Sequence, residues 1–85
     1  MIPMKYNIII EATEDPLFFS FYSPELKGFT GVGNSIEDCV YKAINGIEEH
    51  LKMLQEMNLP IPNQPKHAKI AVVNEPVPTH KLAFA

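Results

Sequence analysis

Pro24-Glu25-Leu26-Lys27-Gly28-Phe29-Thr30-Gly31-Val32-Gly33-Asn34-Ser35-Ile36-Glu37-Asp38-Cys39 opens the stretch, residues 24–62, that decides the fold. It runs into a long amphipathic segment and stops at Asn58-Leu59-Pro60-Ile61-Pro62. The Ser35 hydroxyl is placed to accept from the amide of Asp38, and Asp38 to reach back, as in a capping box. Glu37 and Asp38 also suit the positive end of a helix dipole. Ile36, Val40, Ala43, Ile44, Ile47, Leu51 and Leu54 recur on one stripe, with Lys42, Asn45, Glu48, Glu49, Lys52, Gln55 and Glu56 opposite. The spacing predicts one helix from Ile36 to Met57, roughly 22 residues and ~33 Å long at about 1.5 Å per residue. Glu48, Lys52 and Glu56 follow at four-residue steps and are expected to pair. Asn58 suits a left-handed stop, and Pro60 bars continuation. Gly46 costs about 1 kcal/mol against Ala inside a helix, which points to close approach of a strand.

Upstream of the helix the pattern is that of strands. In Lys5–Ala12, Tyr6, Ile8 and Ile10 share one face, and Asn7, Ile9 and Glu11 the other. Glu14-Asp15-Pro16 is turn chemistry. Leu17–Ser23 predicts a second, antiparallel strand with Leu17, Phe19 and Phe21 on one face and Phe18, Ser20 and Tyr22 on the other. One helix cannot cover both aromatic faces, so the second face is either ordinary surface, covered by the tail, or a contact surface for another chain. Pro24–Gly28 reads as a loop and Phe29–Gly33 as a short third strand, with Gly31 and Gly33 bulging or shortening it. Downstream, Leu59 to Pro65 is a stiff, extended return. Lys69–Asn74 predicts a fourth strand, parallel to the first because it follows a helix. The resulting fold class is α+β: a two-layer β-β-β-α-β unit with sheet order 3-2-1-4 and one long helix on one face.

Composition bounds the function. A chain of 85 residues is one small domain, burying roughly 60–65% of its unfolded surface. With seven Lys, no Arg and ten acids, the net charge is −3. The basic face and bidentate phosphate clamps of nucleic-acid binders are therefore not evident. A mildly acidic protein suits a basic protein partner. A single cysteine, Cys39, forms no internal disulfide. No apolar run approaches the ~18 residues that span a bilayer, and the Met1-Ile2-Pro3-Met4-Lys5 start lacks a signal-peptide core. A cytoplasmic protein with no membrane association is expected.

Little in the chain carries catalytic chemistry. His50, His67 and His80 are far apart, and no HxxxH, CxxC or GxSxG spacing occurs. Gly31-Val32-Gly33 lacks the Lys-Ser/Thr of a phosphate loop and reads as structural. Cys39 reads as a small buried hydrophobe and His50 as a border histidine. Tyr41 projects to the polar side, as plain surface or a partner anchor. The β-β-β-α-β order resembles the core of ribonuclease H folds, whose nucleases hold divalent metal with carboxylates. Glu11, Glu48 and Glu75 could be cast in those roles, but Glu11 is followed by Ala12 and Thr13 rather than an acidic motif, Glu48 falls on the solvent side, and no other acid is forced inward. No catalytic residue, metal site or cofactor is assigned, and an enzyme is not expected.

Taken together, the pieces resemble the HicB-like antitoxin family. The strand start Met4-Lys5-Tyr6 is followed by Pro24-Glu25-Leu26-Lys27-Gly28, where the family commonly has Pro-Asp-Leu-Pro-Gly. Gly33-Asn34-Ser35-Ile36-Glu37-Asp38-Cys39 matches its Gly, Ser/Thr cap and paired acids, with Cys39 where Ala is usual. Leu59-Pro60-Ile61-Pro62 closes the match. The resemblance implies a degraded ribonuclease H-like domain over residues 1–75, with residues 76–85 an extended tail. It implies an antitoxin of a type II toxin–antitoxin pair that occludes a small basic, mRNA-cleaving toxin of the HicA type, and a homodimer or higher oligomer. Longer relatives carry a C-terminal DNA-binding module. The match includes no such module, so DNA binding is not part of the expectation. Candidate partner contacts are Phe18 and Tyr22 on the open sheet face, Tyr41, and the acids Glu48 and Glu49. The alternative is a stand-alone oligomeric scaffold without a toxin.

Overall fold

The computed structural model describes residues 5–74. Its elements are β1 (Ile8–Ala12), β2 (Phe19–Tyr22), β3 (Thr30–Gly33), α1 (Ile36–Glu56) and β4 (Ile70–Val73). The four strands form one mixed sheet in the order β3-β2-β1-β4. β1 pairs antiparallel with β2, placing Ile9 opposite Tyr22 and Glu11 opposite Ser20. β2 pairs antiparallel with β3, with Phe21 opposite Gly31. β4 returns beyond the helix and lies parallel to β1, Ile8 beside Ile70 and Ile10 beside Val72. The order expected from the sequence, 3-2-1-4, and the single covering helix are both present. The predicted tail, the candidate Glu75 and the residues Leu82 and Phe84 lie outside the described residues.

The core sits between one sheet face and α1. Tyr6, Ile8 and Ile10 are fully buried, joined by Phe21 from β2 and by Cys39, Ala43 and Ile47 from the helix. Period two on the strand and period 3.6 on the helix thus present their apolar sets to one another. Cys39 is central to this face rather than at its edge. Ile36, Val40, Ile44 and Leu51 flank it, partly buried. Leu26, assigned to a loop, is also a core residue at 1% exposure. Two turns fold that loop inward, the Leu26 amide donating to the Ser23 carbonyl and the Phe29 amide to the Leu26 carbonyl.

The ends of α1 follow their sequence signals closely. Ser35 has an extended backbone and its Oγ accepts from the Asp38 amide at 3.0 Å. The Asp38 carboxylate reaches back one residue further than a standard box, to the Asn34 amide at 3.1 Å. At the other end Asn58 adopts φ 56°. The Leu59 amide bonds to the Leu54 carbonyl and the Asn58 amide to the Gln55 carbonyl, the paired bonds of a Schellman motif.

Three expectations are corrected. The strands are shorter than predicted. β1 begins at Ile8 because the main-chain and side-chain nitrogens of Asn7 both donate to the Glu25 carboxylate, at 2.8 and 2.9 Å. Leu17 does not join the buried face; it is 72% exposed, held in a turn where its amide donates to Asp15 Oδ1. The Glu48–Lys52–Glu56 ladder is not formed either. Among the described residues the ion pairs are Lys5–Glu48 at 2.9 Å and Lys42–Asp38 at 3.1 Å.

Candidate partner-binding surface

Alternation along the strands decides what the second sheet face carries. Ile8, Ile10, Ala12 and Phe21 point to the helix, so Ile9, Glu11, Ser20 and Tyr22 point away from it. The register sets these in rows. Thr30, Tyr22, Ile9 and Ala71 cross the sheet in one, and Val32, Ser20, Glu11 and Val73 in the next. Tyr22 is 39% exposed and Val32 53%, with Phe18 at the hairpin end at 47%. No described element lies over this face. It is a mixed surface of aromatic, β-branched and hydroxyl side chains with one carboxylate, Glu11.

The hairpin that presents Phe18 is shaped by local polar groups. Thr13 Oγ1 donates to the Phe18 carbonyl at 2.8 Å and accepts from the Asp15 amide. The Phe18 amide returns to the Asp15 carbonyl. Such side-chain-stabilised turns hold position without burial. A protruding aromatic on such a turn keeps its contact area available at little ordering cost.

The five candidate contact residues do not form one patch. Phe18 and Tyr22 belong to the open sheet face, whereas Tyr41, Glu48 and Glu49 lie on α1, across the sheet. Tyr41 is 69% exposed on the outer side of the helix. Glu48 is held by Lys5 in a surface ion pair. Glu49 lies on another flank, at the rim of an open depression of about 350 Å³ between Phe29, Gly46, His50 and Met53. The His50 ring meets Phe29 edge-on, centroids 5.7 Å apart. Ile9, Val32 and Val73 were absent from the sequence-derived contact set. Their parity with Tyr22 was visible, but the register that brings them beside it is set by pairing between distant segments.

The structure also places the carboxylates considered for metal binding. Glu11 is on the open face and Glu48 on the helix, so the sheet separates them; Glu75 lies outside the described residues. Among the described residues no group of three His, Cys, Asp or Glu side chains is arranged to hold a metal ion. Cys39 is fully buried. Burial pushes its thiol pKa up and the adjacent Asp38 carboxylate adds to the shift, which suppresses the thiolate a nucleophile needs. None of the described helices is long and apolar enough to cross a membrane. Comparison with family models, with curated proteins and with solved structures returned no match.

Proposed function

We propose that this domain is a protein-binding module that acts as the antitoxin of a cytoplasmic toxin–antitoxin pair, occluding a small basic ribonuclease. The observation that carries this reading is the sheet face that no described element covers, where Phe18, Tyr22 and Val32 stand exposed. Exposed aromatics on a rigid frame are the usual anchors of protein interfaces. The net charge of −3 favours encounter with a basic partner over a nucleic-acid backbone. Occlusion needs shape and charge complementarity and no covalent step, so the chain is read as an inhibitor rather than an enzyme.

The β-β-β-α-β order with β4 parallel to β1 supports reading the domain as a pared-down ribonuclease H-like sheet. In that reading the framework persists as a scaffold and the sheet face has become a docking surface. Sequence features carried by residues 4–75, chiefly Pro24–Gly28, Gly33–Cys39 and Leu59–Pro62, support the HicB-like assignment.

The test is co-expression with a short, basic, histidine-containing reading frame adjacent to the gene. The expected result is rescue of growth and a complex that co-purifies. Failure of both rescue and co-purification would refute the antitoxin reading. Cleavage of RNA or DNA by the pure protein with Mg²⁺ or Mn²⁺ would instead establish a nuclease.

A further inference from the structure

The two rows of the open sheet face hold a single charged residue. Glu11 stands between Ser20 and Val73 in one row, and the next row, through Tyr22 and Ile9, is uncharged. Glu11 belongs to β1, an inner strand flanked by β2 and β4, and it is half-buried there. Inner strand positions favour β-branched and aromatic residues, and Glu is disfavoured in them. Ile8, Ile9 and Ile10 follow that preference and Glu11 breaks it. The register also fixes its neighbours. Glu11 lies opposite Ser20, so Phe18 and Tyr22, two residues to either side of Ser20, occupy its diagonal positions. Diagonal neighbours are within reach of aromatic side chains, and both rings are exposed.

The described fold brings no cation to this carboxylate. Residues 6–26, which include β1, the hairpin turn and β2, contain no Lys, Arg or His. Among the described residues the ion pairs are Lys5–Glu48 and Lys42–Asp38, so those two ammonium groups are engaged elsewhere. Lys69 shares the parity of Ala71 and Val73, but it precedes Val73, the β4 neighbour of Glu11, by four residues. At ~3.3 Å per residue that is about 13 Å away along the strand. A partner that covers the face takes the carboxylate out of water. Covering an ionised carboxylate with no opposite charge is costly, and a hydrogen-bonded cation offsets much of that cost. An Arg guanidinium suits the place best, because it pairs with a carboxylate through two parallel bonds and stacks on aromatic rings.

We infer that Glu11 is the specificity-determining residue of the open face, selecting a protein partner that presents a cationic side chain, best an Arg guanidinium, between Phe18 and Tyr22. The inference rests on the protein-binding reading and sharpens it. The aromatics offer contact area that any apolar surface could use, whereas Glu11 rejects every surface that brings no cation opposite it. Local recognition is thereby separated from net charge. Neutralising any one acid moves the net charge of −3 by the same amount, but only at Glu11 does it remove the group that the partner's cation meets.

The test combines urea denaturation of the free full-length chain with calorimetric titration of the product of a short basic reading frame adjacent to the gene. The variants are Glu11→Gln, which keeps the shape without the charge, and Glu49→Gln, an equal change of charge on α1. Glu11→Gln is expected to hold or raise the wild-type urea midpoint, since no described group pairs with the carboxylate. It is expected to weaken the complex about tenfold or more and to make its salt dependence shallower. Glu49→Gln is expected to change the affinity by about twofold or less, as for an exposed charge outside the contact. A Glu11→Gln midpoint below wild type would overturn the inference with no partner present, because the carboxylate would then be held by a group of its own chain. Equal affinity for wild type and Glu11→Gln, or an equal loss in the two variants, would overturn it and leave the protein-binding reading standing. No complex with the wild type would overturn it together with that reading.

Discussion

Gly31 lies opposite Phe21 in the β2–β3 ladder, and a Cβ there would run into the Phe21 ring, with the Phe21 edge carbons only 2.9 Å away. The ring covers the missing side chain and packs on Phe29, centroids 5.9 Å apart. The sequence reading took Gly31 as a bulge or a strand shortener, and the reason for it is instead the volume of a neighbour. Gly31→Ala is expected to destabilise by about 1–3 kcal/mol through overpacking, measured by urea denaturation. Gly46 follows the same logic and was legible, because a glycine inside a helix stripe already implies close approach; a Cβ there would meet Phe29 at 3.0 Å. At the helix start, the Asn34 amide and then the Lys42 ammonium hold the Asp38 carboxyl below the usual carboxylate range. A carboxyl with a lowered folded pKa contributes stability above its unfolded value, about 4, and loses it as pH falls through the lower folded value. Asp38→Asn should therefore flatten the acid limb of the stability curve. Acid titrations followed by circular dichroism, wild type against variant, check this.

Among the elements, α1 was the most legible, because its signals are local. Ser35, Asp38, Asn58 and Pro60 act within a turn of the sites they control. The strands were less so, since their ends depend on partners far along the chain. The Asn7 side chain accepts from the Lys69 amide at 2.8 Å while its own nitrogens are held by Glu25. This clip joins the start of β1, the Pro24–Gly28 loop and the entry to β4, which are 18 and 62 positions apart from Asn7. Tyr6, fully buried, adds a second tether by donating its hydroxyl to the Pro62 carbonyl at 2.5 Å. Nothing in the spacing of Asn7, Glu25 and Lys69 announces such a contact. Asn7→Ala removes one donor from the part-buried Glu25 carboxylate and the acceptor of the exposed Lys69 amide; water can reach both, so the loss is expected at the low end of a net hydrogen bond's worth, about 0.5–1.5 kcal/mol. The loss should be local. Hydrogen exchange is expected to quicken at Lys69 and Ile8 more than at Phe21, and uniform quickening would mean that the clip supports the whole domain.

For the whole molecule, the sequence revealed that the second sheet face would be aromatic and that one helix could not cover both faces. The sequence reading did not draw the consequence that the five candidate contacts cannot form one patch, although it already put Phe18 and Tyr22 on the open face and Tyr41, Glu48 and Glu49 on the polar side of the helix. Nor did it bring Ile9, Val32 and Val73 beside Tyr22, which requires the cross-strand register. In the proposed reading, the partner meets the sheet face that no described element covers. On that reading Glu48 and Glu49, on the other side of the sheet, would act through general charge rather than direct contact. The most direct measurement is calorimetric titration of the proposed partner, the product of a short basic reading frame adjacent to the gene, into the wild-type protein and into the Phe18→Ala, Tyr22→Ala double variant. Both side chains are exposed, so the variant should keep its native circular dichroism spectrum. At about 2 kcal/mol for each hot-spot aromatic, the account predicts a complex with wild type and a loss of affinity of roughly a hundredfold or more in the variant. Equal affinity for the two proteins, or no complex with the wild type, would contradict it.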